Sequence, residues 1–135
     1  MLTSLDPALW PSPALLAFAK RQAAQQQLHL GAERRAEERL LYAMPVVTYG
    51  VDEHIRPVAD PQAMVVRDHS AKGLGLVYER PFSHRKIVVE LTYPEEGKFL
   101  AAEVLWSKPL GPFYLLGCEI IAKLDAFPAA RTLTA

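Results

Sequence analysis

The stretch from Lys86 to Trp106, KIVVELTYPEEGKFLAAEVLW, sets two runs of β-branched, aliphatic and aromatic residues on either side of a Pro94 to Gly97 turn. Ile87, Val89 and Leu91 fall on one face of the first run, with Val88 and Glu90 on the other. In the second run Leu100, Ala102, Val104 and Trp106 share a face opposite Glu103. This alternation predicts strands, and it makes Trp106 a core or barrel-end residue, with ligand stacking as the alternative.

Outward from this pair the same texture continues. VVTYGV, AMVVRD and GLGLVYE precede it and FYLLGCEI follows. Asp60-Pro61, Pro81 with Ser83, and Pro109 to Pro112 (PLGP) punctuate the runs. No helical pattern lies between the strands to make a parallel crossover, so the expected fold is mainly β, a closed six-stranded antiparallel barrel. Before the barrel, PSPALLAFAKRQAAQQQLHL is rich in helix formers, opens on prolines suited to a first turn and stops at Gly31. The expected organisation is an N-terminal helical extension over 1–31, a barrel domain over 32–125 and a C-terminal tail over 126–135. The stripe of Leu15, Phe18, Ala19 and Leu28 is too sparse for a coiled coil; it packs on its own domain or on a partner. The charged segment GAERRAEERLL, ending before Met44 and Pro45, reads as a hinge between the two halves.

With 135 residues the chain has room for one core plus an appended helix. Fifteen Lys and Arg balance fifteen Asp and Glu, which argues against a general DNA or RNA binder and leaves room for a local anion site. The single cysteine, Cys118, sits in an apolar run and reads as a buried, inert thiol of a reducing compartment. No apolar run reaches membrane-helix length and the N-terminus lacks signal-peptide character, so a cytoplasmic protein without membrane insertion is expected. His29, His54, His69 and His84 are far apart and pair with no cysteine at ligand spacing, so no metal site is expected.

The chemistry is concentrated in Val66 to Leu76, VRDHSAKGLGL. Asp68, His69 and Ser70 resemble a catalytic cluster only on paper, because in a strand His69 points away from both neighbours. Asp68 and Ser70, two apart, share a side and form a clamp for a ligand edge carrying N–H donors. Alternatively they stabilise a turn, with Gly73 at positive φ. Gly73 and Gly75 lack the third glycine and following helix of a dinucleotide fingerprint, and Lys72 precedes its glycine, unlike a phosphate-binding loop of the Walker kind. No nucleophile with a base, no metal set and no cofactor fingerprint is present, so no catalytic residue is assigned and no enzyme is expected.

Arg34, Arg35 and Arg39, with Glu38 at helical spacing, read alone as a solvated face. Arg35-x-x-x-Arg39 followed about thirty residues later by Asp68-x-Ser70-x-x-Gly73, in an all-β setting, resembles the PilZ domain and its RxxxR and (D/N)xSxxG motifs. The resemblance covers roughly Ala32 to Ile121. It implies a six-stranded barrel that binds the bacterial second messenger cyclic di-GMP as its ligand, with no other cofactor. Arg35 and Arg39 would hold phosphate and guanine, Asp68 and Ser70 would take guanine donors, and Gly73 would permit close backbone approach. An arginine fork suits both phosphate and guanine, and its face stacks on a base.

Two positions depart from the family pattern. His69 stands where an aliphatic residue is usual, and should face the barrel interior or its rim. Lys72 stands where a small residue is common, and offers a phosphate contact. Arg34 adds a cation that favours a stacked pair of nucleotides over a single one. The expected function is a receptor in which ligand orders the arginine hinge and repositions the N-terminal helix against a protein partner. The alternative is a PilZ-like adaptor that binds no nucleotide and acts by protein contact through the helix or a barrel face.

Overall fold

The structure, a computed structural model, describes residues 10–30, 40–91 and 98–127. One helix, α1 (Pro13–Leu30), precedes six strands: β1 (Leu40–Val51), β2 (Gln62–His69), β3 (Gly73–Tyr78), β4 (Lys86–Leu91), β5 (Lys98–Leu110) and β6 (Phe113–Leu124). Every neighbouring pair is antiparallel, and the sheet closes in the order β1-β2-β3-β6-β5-β4. The mainly β barrel with an N-terminal helix is therefore the architecture the alternating runs predict.

The interior is filled by one cluster drawn from all six strands, including Met44, Val46, Met64, Val66, Leu74, Leu76, Ile87, Val89, Leu100, Ala102, Leu116 and Cys118. Burying each large aliphatic side chain contributes roughly 1.5–3 kcal/mol before chain entropy is counted. At one end of the barrel Tyr78, Phe82 and His84 meet edge to face, with ring centroids 6.4 and 5.3 Å apart. Tyr78 donates its hydroxyl to Gln62 Oε1 at 2.7 Å there, and burial raises the phenol pKa.

Two differences from the sequence reading follow from backbone geometry. Strand β1 starts inside the charged segment, at Leu40, and runs through Pro45. Pairing with β4 begins only at Val47, so Pro45 lies where β1 is hydrogen-bonded along one side, a position a proline tolerates. Strand β5 continues past Trp106 to Leu110, and a two-residue Gly111-Pro112 loop connects it to β6. Gly111 has φ +60, as the first residue of a Gly-X hairpin requires, and a Cβ there would stand 3.2 Å from the Phe18 ring.

Helix α1 opens on Ser12, whose Oγ accepts the Leu15 N–H at 3.2 Å, with Pro13 at the first helical position. Leu15, Ala19 and Ala23 recur every four residues and are buried, giving the helix one narrow packing face. Leu15 and Ala19 press on Val65, Val77 and Leu115 on the outside of the barrel. Leu15, Phe18 and Ala19 of the stripe are thus used within the domain, while the side chain of Leu28 lies outside the described residues, and the alanines let the helix backbone come close. A second outer cluster of Val47, Tyr49, Val51, Val88, Phe99 and Ala101 is covered by Phe127, whose ring lies 5.1 Å from that of Tyr49. Among the described residues no helix is long and apolar enough to cross a membrane.

Candidate ligand-binding recess

Side chains on the outer wall follow from the register. Asp68 pairs with Gly75, Gly75 with Gly117, and Gly117 with Trp106, so these four residues form one row across β2, β3, β6 and β5. Gly75 lies between Leu74 and Leu76, and Gly117 between Leu116 and Cys118, all of which fill the interior. The row therefore faces outward. Its two central members carry no side chain, and its two outer members lean over them. A Cβ on Gly75 would stand 2.7 Å from Asp68 Oδ2, and one on Gly117 would overlap the Trp106 indole.

The result is a recess of about 170 Å³ with a glycine floor, lined by Arg67 and Asp68 on one side and Leu105 and Trp106 on the other. Leu115 also lines it, and Leu115 belongs to the cluster beneath α1. Lys108, two residues beyond Trp106, holds its ammonium 5.3 Å over the indole ring. An acceptor, a half-exposed aromatic ring and one cation, Arg67, thus line one concavity, with a second cation, Lys108, over the ring. That set can receive a planar, polar ring bearing N–H donors, together with an anionic group.

Both walls depend on β-bulges. Val66 pairs with Leu76 and Asp68 with Gly75, so Arg67 is an extra residue on β2. Strict alternation would send Asp68 inward with Val66; the bulge instead turns Arg67 and Asp68 together to the outside. On β5, Val104 pairs with Cys118 and Trp106 with Gly117, leaving Leu105 as the extra residue. This corrects the sequence reading of Trp106: it is 47 % exposed and lies on the face opposite Leu100, Ala102 and Val104.

Asp68 is almost fully buried. Its Oδ2 accepts from Arg67 Nε at 2.8 Å and is 2.7 Å from Arg67 Nη2, with the arginine side chain 13 % exposed. Ser70 is also buried and forms the hairpin between β2 and β3. Its N–H donates to the Gly73 carbonyl at 2.9 Å, and its Oγ accepts the Gly73 N–H at 3.3 Å. The turn role of Ser70 is therefore real. Gly73 has no positive φ; glycine is needed because a Cβ would stand 3.0 Å from the Cys118 carbonyl oxygen. The hairpin is tied to β6 by Ile120 N–H donating to the Lys72 carbonyl at 2.8 Å, and Lys72 itself is exposed.

His69 pairs with Leu74, an interior residue, and is half-buried, so it faces the barrel rim on the side away from Asp68. Arg34, Arg35 and Arg39 lie outside the described residues. The chain re-enters the described structure at Leu40, the residue after Arg39, and Leu40 pairs with His69, between Asp68 and Ser70. Cys118 contributes backbone to the recess, while its thiol faces inward and burial pushes its pKa up to about 12.

The structure thus brings together Asp68, Ser70 and Gly73, and adds Arg67, Gly75, Trp106, Lys108 and Gly117, to which the sequence reading gave no binding role beyond the stacking alternative at Trp106. The available signal was glycine itself: Gly75 and Gly117 interrupt strands otherwise made of bulky residues, which marks close approach of another group.

No protein-family model matches the chain, and neither does any curated protein. Among solved structures the chain is similar to that of K. pneumonia MrkH in its complex with c-di-GMP, at 17% sequence identity and a TM-score of 0.43, over 67% of this chain and 45% of that one. The chain matches less than half of the length of that neighbour.

Proposed function

We propose that this protein is a non-enzymatic receptor for cyclic di-GMP, with the recess as the guanine site and the arginine segment as the phosphate clamp. One observation carries the reading: the β1–β2 register sets Leu40, next in sequence to Arg39, across from His69, the residue between Asp68 and Ser70. There Asp68 offers a carboxylate to the guanine N–H edge, Trp106 offers a stacking face, and Ser70 keeps a hydroxyl proton to donate. Arg35 and Arg39 supply the charge and fork geometry that two phosphates demand.

The same reading includes a route for output. Leu115 forms part of the recess wall and part of the surface on which Leu15 and Ala19 pack. Ligand that orders the arginine segment and presses on this wall shifts how α1 docks, and a protein partner reads the change.

Calorimetric titration with cyclic di-GMP tests it. The wild type is expected to give saturable heat, and Arg35→Ala and Asp68→Ala to lose it while retaining the wild-type circular dichroism. Wild-type protein that gives no saturable heat would instead leave the adaptor role, acting by protein contact alone.

A further inference from the structure

The Arg67–Asp68 ion pair occupies the very group to which the ligand is assigned, and this goes one step further than the receptor reading on which it rests. Arg67 reaches Asp68 with two N–H-bearing nitrogens, Nε and Nη2, and both lie within 2.8 Å of the same oxygen, Oδ2. A carboxylate oxygen has two lone-pair positions, so these contacts fill Oδ2. Guanine presents N1–H and the 2-amino group side by side, and that edge needs both carboxylate oxygens at once. The two donor pairs cannot be accommodated together.

We propose that Arg67 is an intrachain stand-in for guanine, and that binding exchanges one donor pair for the other. Without ligand, the guanidinium keeps a nearly buried carboxylate paired, which a buried charge requires. With ligand, the guanine edge takes over Asp68 and Arg67 swings free at the lip of the recess, a cation released beside the incoming phosphates. The bulge makes this possible, since without the extra residue Arg67 and Asp68 would point to opposite faces. Two consequences follow. Affinity is lower than the recess alone would give, which sets the concentration at which the receptor responds. The replacing group must also offer two parallel donors on one edge, as guanine does and adenine does not.

The test is titration of cyclic di-GMP into wild type, Arg67→Gln and Arg67→Lys, with folding checked by circular dichroism. Both variants lack the double-donor fork on Oδ2, and each is expected to bind at least about tenfold tighter than wild type, the worth of one charge-assisted hydrogen bond. Equal or weaker binding by both variants beside a binding wild type overturns the exchange and leaves the receptor reading standing. Absence of binding in all three overturns both. Should the variants fail to fold, the Nε–H resonance of Arg67 in the wild type decides: it moves to the position of an unpaired guanidinium on saturation if the exchange occurs, and an unmoved resonance in the bound protein rejects it.

Discussion

Leu15 of α1 and Leu115 of β6 belong to one buried cluster, and Leu115 also walls the recess. Leu15→Ala removes the largest fully buried side chain among the described residues of the helix and leaves a cavity against the barrel. A loss of about 2–5 kcal/mol is expected, read as a lower urea midpoint. Because the cavity adjoins Leu115, cyclic di-GMP affinity should change as well, and unchanged affinity would disconnect the helix from the recess.

Trp106 contributes little to folding and much to the recess. It is half exposed and its ring lies against a glycine, so Trp106→Leu should alter stability by no more than about 0.5 kcal/mol. Loss of a stacking face is worth roughly 1–3 kcal/mol per base, or about thirtyfold in affinity at the middle of that range. Calorimetry on the variant and quenching of indole fluorescence in the wild type check the two halves of the expectation.

The Cys118 thiol should be silent in the folded state. Burial pushes its pKa up to about 12, so almost no thiolate exists at pH 8. Labelling by iodoacetamide at that pH should be at least about a hundredfold slower than in denaturant, where an ordinary thiol ionises near pH 8.5. The folded pKa lies above the unfolded one, so the contribution to stability is complete below the unfolded value and fades as pH rises from there toward 12. Equal labelling rates in native and denatured protein would show that the inward placement of the thiol is wrong.

Asp52 holds the loop after β1 by accepting the N–H groups of Arg56 and His54 at 3.0 and 2.8 Å. The Arg56 bond is the principal cause of a carboxyl pKa below its ordinary 3.8. A depressed folded pKa stabilises above the unfolded value and ceases to do so as pH falls through the folded one. The gap in urea midpoint between wild type and Asp52→Asn should therefore be constant near neutrality and close below about pH 4. A gap that persists into stronger acid would rule out the charge as its source.

The barrel was legible in the sequence because its strands alternate cleanly and its turns carry proline and glycine. The helix was legible from its opening prolines and closing glycine, and its packing face from Leu15 and Ala19. Asp68, Ser70 and Gly73 stood out through their spacing, but the orientation of Asp68 did not. An extra residue in a strand reverses the face of everything beyond it, and nothing in VVRDHS or AEVLWS marks Arg67 or Leu105 as that residue. The pairing partner across the ladder decides where a bulge falls, and that is a property of two strands together. The reading of Trp106 as inward followed directly from alternation carried one residue too far. The partnership of Arg67 with Asp68 was hidden for the same reason.

A barrel this small has an interior full of its own side chains, so it recognises on its outside or not at all. Its concavity there was made by leaving two positions, 75 and 117, without a side chain. A site made by omission has an unusual tolerance profile. At the walls, substitutions can be graded by charge, size or aromaticity, and the ligand retuned by degrees. At the floor no such gradation exists, because every other amino acid begins with the same carbon atom. A saturation mutagenesis map would therefore show two positions that accept nothing, and around them a ring of positions through which new specificities can be reached.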